Sequence, residues 1–502
     1  MKFRFVKYLS AVVLAAFTLV GCENGLGDDN NGGGEDITIR LSVFPESITV
    51  DSEAQTSFIT VTTNAEWDFV NAISWVEATR NGDDINLVIS HNYSTNTREG
   101  EIIIFATSGS QRVEKKVSIQ QYSESASEGS DDEFECPVFE SLMLSSYDSN
   151  GDGRISEAEA ARVTEIDVSF TESDAEEREY ITSLKGIKKF KNLQYLYCEN
   201  NLIPTLDLSG MEKLELVDCY YNDMVSLNVS NCPSLKWVYC YSNNISDLNI
   251  SGSENLIMLQ AYKNKLTSID VSGLKELVYF DVLMNELRDV DFSNCPKLQI
   301  AAVGSNNLIS LNLEGLPSLE TLGCHENNIA SLDVSKLANL KMLECYTNNI
   351  SSLDLSANTM LTALTCQRNL LTSLNIENCK LLTKLDCSNN FLEGAADFSK
   401  FTHLKKLYCG GNRYTSISVN DCLFMEELSC ENTQIAALEV SALTSLTSLI
   451  ANDCLISKMD CSNNINLKTL QLQGNPLTEL VLAEGQSIAD LKLDNHDVIS
   501  RK

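Results

Sequence analysis

Between residues 148 and 159 the chain reads DSNGDGRISEAE, and oxygen-bearing side chains recur there at alternate positions: Asp148, Asn150 and Asp152. A hard cation such as calcium takes roughly six to eight oxygen ligands, and short side chains alternating along one tight turn supply them. Gly153 permits the sharp bend such a turn needs. Catalytic chemistry is far less well provided for. The four histidines, His91, His325, His403 and His496, lie in no metal or nucleophile motif, and GxSxG, P-loop and HExxH patterns are absent. Carboxylate pairs occur in any chain this acidic and point to nothing specific. The expectation is a protein that binds and does not catalyse.

The stretch 148–159 resembles an EF-hand loop. The resemblance implies side-chain ligands from Asp148, Asn150 and Asp152, the main-chain carbonyl of Arg154, a water held by Ser156, and two oxygens from Glu159. Helices are predicted on both sides, over Pro137–Tyr147 and Ser156–Thr164. Sensors of calcium work through paired hands and an apolar groove. Only one loop exists here, so the ion is expected to be structural. The arrangement is similar to bacterial proteins in which an EF-hand-like segment leads directly into a leucine-rich array; a dockerin would carry a second copy of the loop.

From Leu193 onward the sequence repeats the unit LxxLxCxxNxLxxLxLSxxxx. Fifteen coils begin at Leu193, Leu214, Leu235, Leu256, Leu277, Leu298, Leu319, Leu340, Leu361, Leu382, Leu404, Met425, Leu446, Leu467 and Ile488. Each interval is 21 residues except the one from Leu382 to Leu404, whose extra residue falls near Glu393–Ala396. A partial coil over Ile181–Ile187 precedes them. Leucines at positions 1, 4, 11, 14 and 16 point inward, and Asn at position 9 is placed to bond backbone groups that a tight turn leaves unpaired. The asparagine row weakens at Thr433 and Cys454. This array resembles bacterial leucine-rich-repeat proteins with short, internalin-like units. With parallel strands ~4.8 Å apart, such an array is about 70 Å long.

The cysteines follow the same period. Nine of the 17 sit at position 6 (Cys198, Cys219, Cys240, Cys324, Cys345, Cys366, Cys387, Cys409, Cys430), and Cys232, Cys295, Cys379 and Cys422 share position 19. Stacked side chains in parallel register lie ~4.8 Å apart, whereas a disulfide needs Cβ atoms about 3.8 Å apart. They are therefore expected to be free, buried and apolar in behaviour.

Strand residues at positions 2, 3, 5, 7 and 8 are expected to face solvent, and this is where tyrosines concentrate. Tyr195, Tyr197, Tyr220, Tyr239, Tyr241, Tyr262 and Tyr279, joined by Trp237, form the candidate ligand-binding surface. Tyr220, Tyr241 and Tyr262 occupy one position in successive coils. Such rings suit a protein interface or the C–H faces of a sugar; the alternative is that they stack on one another and stiffen the sheet.

Residues 37–122 alternate apolar and polar positions between turn signals, as the short strands of an immunoglobulin-like sandwich do. The segment resembles the BACON domain family in Asn64-Ala65-Glu66-Trp67, Ser74-Trp75-Val76, Asn92-Tyr93-Ser94, Thr97–Ile102 and Val117–Gln121. That family is associated with carbohydrate use at bacterial surfaces, and its members also serve as spacers. Trp67 and Trp75 are expected in the core.

The N-terminus bears Lys2, Arg4 and Lys7, an apolar run over Ser10–Val20, then Leu19-Val20-Gly21-Cys22. This order matches the lipobox of bacterial lipoprotein signal peptides and implies lipid on Cys22. Residues 22–36, rich in Gly, Asn and Asp, read as a flexible tether. There are 70 acidic and 37 basic residues, a net charge of −33. Removing residues 1–21 takes it to about −36. Charge of this sign repels phosphate backbones and excludes nucleic acid as a partner.

The expected architecture is mainly β and multidomain: a signal peptide (1–21), a lipidated tether (22–36), a BACON-like sandwich (37–122), a linker (123–136), a calcium loop and solenoid cap (137–180), and a right-handed leucine-rich-repeat solenoid of about 15 coils (181–502). The expected role is surface recognition or adhesion by an outer-membrane lipoprotein that contacts the membrane through its anchor only. Its ligand would be a protein or glycoprotein; glycan capture for polysaccharide use, and a structural spacer, are the other readings.

Overall fold

In the computed structural model the described residues are 39–50, 52, 54–92, 94, 96–109, 111–122, 134–171 and 179–502. The signal peptide, Cys22, the tether, Tyr93 and most of the 123–136 linker lie outside them. Two compact units are formed: one from residues through Ile48, Thr56–Ile89 and Gly100–Ser118, the other from Thr49–Gln55, Ser90–Glu99 and Ile119–Lys502.

The N-terminal strands are β1 (Leu41–Phe44), β2 (Ser47–Val50), β3 (Gln55–Thr63), β4 (Glu66–Asn71), β5 (Val76–Asn81), β6 (Asp84–Ile89), β7 (Arg98–Ser108) and β8 (Gln111–Gln121). They form two four-stranded sheets, in the orders β1-β3-β6-β5 and β2-β8-β7-β4. Period-two alternation sends Ile85, Leu87 and Ile89 of β6, and Ile102, Ile104 and Ala106 of β7, fully inside. Trp67 is buried, with the Arg80 guanidinium 3.8 Å from its ring centroid. Trp75, expected in the core with it, is half-buried.

Helix α1 (Pro137–Tyr147) has the predicted bounds. Its buried Phe139, together with Phe134 and Tyr147, gathers at Phe190, where the array begins; ring centroids lie 5.3 to 6.5 Å apart. The apolar end of the solenoid core is covered in this way. The second predicted helix, Ser156–Thr164, is only one turn, α2 (Glu157–Ala160). The chain leaves it because residues 165–167 are taken up as β9 (Glu165–Asp167), which pairs in parallel with β10 (Tyr195–Tyr197). The sheet thus starts one strand earlier than the repeat pattern announces.

One 16-stranded parallel sheet runs from β9 through one strand of each coil, with a constant register. The mainly β solenoid of about 15 turns and 21-residue period is the fold of this region. Position-4 residues such as Leu196, Val217 and Val238 point to the core and are fully buried. Positions 3 and 5 of the same strands therefore face outward. The longer coil after Leu382 is absorbed where Glu393–Asp397 pairs with Arg413–Ser418, with a register shift between Gly394 and Ala395.

The asparagine row does what its spacing requires. Asn222 donates from Nδ2 to the Cys219 carbonyl of its own coil and to the Cys198 carbonyl of the preceding one, while its Oδ1 accepts the Ile203 amide. Asn243, Asn264, Asn285, Asn306, Asn327, Asn348 and Asn369 repeat this pattern. At the weak points, the Thr433 hydroxyl and the Cys454 thiol both donate to the Cys430 carbonyl. Asn475 restores the pattern one coil later, bonding the carbonyls of Ala451 and Leu472.

Candidate functional site

The first five coils place their aromatic residues in aligned rows. Strand register sets Tyr195, Leu216, Trp237, Met258 and Tyr279 side by side in one row, and Tyr197, Asp218, Tyr239, Gln260 and Asp281 in the next. Tyr195, Tyr197, Trp237, Tyr239 and Tyr279 are half-buried, so each keeps part of its ring in solvent. Lys236 lies 5.6 Å from the Trp237 ring centroid and pairs with Glu215 at 2.7 Å.

The third row departs from expectation. Position 7 was predicted to be open, but Tyr220 and Tyr241 are buried, at 7% and 8% exposure, and only Tyr262 is half-buried. The cause is mutual stacking: Tyr220 lies 4.5 Å from Tyr241, and Tyr241 4.4 Å from Tyr262, each pair within 6° of parallel. Tyr221, at position 8 and 53% exposed, adds edge contacts at 5.4 and 5.9 Å to the first two. The rings of this row stack on one another, and Tyr220 and Tyr241 keep little face free for a ligand.

The sequence alone places Asp218 between Tyr197 and Tyr239 and Asp281 beyond them; that both are buried, with Glu199 beside Asp218, it does not show. Asp218 and Glu199 are buried, at 4% and 7% exposure, and Asp281 at 7%. Burial, with the like charge of Glu199, pushes the Asp218 carboxyl up to about 8, although the Tyr220 amide bonds it. Burial lifts Asp281 to about 6 despite a bond from the Leu283 amide. The same desolvation, with nearby carboxylates, takes Tyr197, Tyr239 and Tyr279 to about 12, so these phenols stay neutral and serve as hydrogen-bonding groups. The signal for the two aspartates is the interruption of a tyrosine row by Asp at an outward-facing strand position; Glu199, outside that row, carried none.

The loop at 148–159 closes on its own side chains. Asp148 accepts the amides of Gly151 and Gly153 at 2.7 and 2.8 Å, and Asp152 accepts that of Arg154 at 2.9 Å. Gly151 and Gly153 take positive φ, 73° and 81°, as the two sharp bends demand. Glu159 is buried, with Oε1 bonded by the Ser149 amide and hydroxyl and Oε2 by those of Ser156. Burial raises its pKa, but these four bonds outweigh that and hold it below the usual carboxylate range. Spacing and backbone suit a hard cation. Among the described residues, however, no three His, Cys, Asp or Glu side chains converge into a metal-holding group. Glu159 caps α2 and bonds the loop in the geometry observed, and the Arg154 carbonyl remains the expected main-chain oxygen.

The position-6 and position-19 cysteines are free and buried. No helix among the described residues is long and apolar enough to cross a membrane.

A parallel solenoid with leucine-lined coils, asparagine-bonded turns and an open strand face is a leucine-rich-repeat scaffold of internalin-like build, a fold typical of protein-recognition modules. Among solved structures, the functional domain of InlJ from Listeria monocytogenes, described as including a cysteine ladder, is 27% identical; the match covers 69% of this chain and 70% of that one, with a TM-score of 0.50. YopM, a leucine-rich effector protein from Yersinia pestis, shares the fold at 24% identity and a TM-score of 0.52, over 60% of this chain and 83% of that one. No protein-family model and no curated protein matches the chain.

Proposed function

We propose that this chain is a non-enzymatic surface recognition protein whose ligand docks on the outward strand face of the first five coils. One observation carries the reading: Tyr195, Trp237 and Tyr279 in one row and Tyr197 and Tyr239 in the next, all partly exposed, are fixed by a sheet whose register does not vary. Rigid Tyr and Trp side chains give large contact area at small entropic cost, which is why they anchor protein interfaces. The later coils present mostly smaller or aliphatic groups in the same rows, such as Gly323, Ala363, Thr365 and Ser429, with Tyr408 as the one aromatic residue among them.

In this reading Cys22 carries the lipid, residues 22–36 form the tether, and the BACON-like module at 37–122 sets the solenoid off from an outer-membrane surface. Calcium at Asp148, Asn150, Asp152 and Arg154 would brace the loop between α1 and α2; engaging Glu159 requires that it give up bonds to Ser149 and Ser156. Glycan capture is the second reading, favoured by carboxylates interleaved with aromatic rings in one row.

The full chain, probed against a glycan array and a panel of extracellular proteins, separates the two. Trp237→Ala combined with Tyr239→Ala should weaken the ligand found by at least tenfold, roughly the effect of losing one interface anchor. Undiminished binding would place the ligand elsewhere. For the ion, thermal melts with calcium and with chelator should differ by several degrees, the effect of roughly 1–2 kcal/mol of binding linkage. Superimposable melts would remove calcium from the account.

A further inference from the structure

Asp218 occupies an unusual place. It faces outward between Tyr197 and Tyr239, its register partners on the two neighbouring strands, with Asp167 one strand beyond Tyr197. Yet it is 96% buried by its surroundings, since its exposure is only 4%. The Tyr220 amide bonds the carboxylate, while Oδ1 has no hydrogen-bond partner and is sealed from water. The charges acting on it, Glu199 and Asp167, are both negative, and no Lys or Arg among the described residues is one of them. A buried carboxylate is normally matched by a cation or by full hydrogen bonding. Among the described residues the chain supplies neither.

We propose that Asp218, walled by Tyr197 and Tyr239 and backed by Glu199 and Asp167, is a subsite for a basic side chain of a protein partner, best filled by arginine. The proposal rests on the recognition role given to this face and names the chemistry of what docks there. A guanidinium fits each element of the site. It bonds a carboxylate through paired N–H groups, and it packs on aromatic rings while being only weakly hydrated. A net charge of −33 draws basic partners to the chain in general. The unmatched oxygen marks the point where one of them is recognised.

A proton readout follows. The groups near Asp218 are Asp167 from β9, Tyr197 and Glu199 from β10 and the turn after it, Tyr239 from the third coil's strand, and the buried thiols Cys198, Cys219 and Cys240. The tyrosines and thiols lie far above neutrality, so Asp218 is the group set to release a proton at pH 7 when a cation arrives.

Tetra-arginine is titrated calorimetrically into the full chain at pH 7 in two buffers of different ionisation enthalpy. Tetracitrulline serves as the uncharged control and tetralysine as the ammonium counterpart. Tetra-arginine should bind and release a fraction of one proton, tetralysine should bind more weakly, and tetracitrulline should not bind. Asp218→Asn should weaken tetra-arginine at least tenfold and abolish the release, whereas Asp354→Asn, an exposed change on another face, should alter neither. Equal binding to Asp218→Asn, or equal binding of tetracitrulline, overturns the subsite. If this occurs while the Trp237 and Tyr239 double variant still loses its partner, the recognition face stands and only the basic-side-chain subsite falls.

Discussion

A single amide can hold two coils together. Asn285 bonds the carbonyls of Ala261 and Val282 and accepts the Leu266 amide, all out of water. Asn285→Ala leaves these backbone groups unpaired and should cost about 2–4 kcal/mol in chemical denaturation; a loss below 1 kcal/mol would show that water or neighbouring bonds replace it. Asp218 has the opposite character. Its folded pKa of about 8 lies above the ordinary value of 3.8. The folded state therefore binds more protons between those values, and stability falls as pH rises across that window. Asp218→Asn keeps an acceptor for the Tyr220 amide and removes the buried charge. It should match the parent chain below pH 4 and exceed it above pH 8 by on the order of 2–5 kcal/mol. Parallel stability–pH curves for the two chains would contradict the buried-carboxylate assignment.

The coil is the element that sequence revealed most directly, because its core positions recur in phase, with a single extra residue between Leu382 and Leu404. Leu at position 4, Cys at position 6 and Asn at position 9 each had a legible job, and each sits where that job requires. Position 8 was not legible. It is left-handed in coil after coil, from Asn200 at φ 59° through Lys263, Glu326 and Arg368 to Asp453. Its side chains are so varied that no glycine or asparagine signature announces the conformation. Thr347 adopts φ 53° there, where a β-branched residue is strained. Thr347→Asn should stabilise the chain by about 0.5–1 kcal/mol in thermal or chemical melts; a destabilised variant would mean that the threonine side chain contributes more than its backbone costs. The candidate site was partly legible for a related reason. Alternation told which strand residues face outward, but not that stacked rings at position 7 would cover one another, nor that an outward Asp could be enclosed by its neighbours. Both depend on side-chain size across coils, which a one-coil pattern does not contain. The short α2 has a similar origin: a helix-like stretch lost its second half to strand pairing at β9.

At the scale of the whole molecule, the cysteines make a sharp test of solenoid integrity. The 16 described thiols are buried and unpaired, and burial pushes nearly all the position-6 thiols up to about 12 or well above their ordinary value. Native chain treated with a thiol reagent at pH 8 should therefore react slowly or not at all at these positions, and denaturant should release them. Rapid modification of the native chain at Cys345 or Cys366, located by peptide mapping, would show that the array opens locally.

The constant step of the asparagine ladder has a further consequence for chain length. Each coil presents to the next the same carbonyls and the same acceptor that it receives from the one before. Excising residues 298–318 as a block would bring Asn327 to the Val282 carbonyl and the Leu287 amide that Asn306 now serves, with Leu319 following Leu277 at the first position of the coil. An array closed by such interchangeable joints can be shortened or extended by whole turns, moving its aromatic rows along the surface without redesign of any joint.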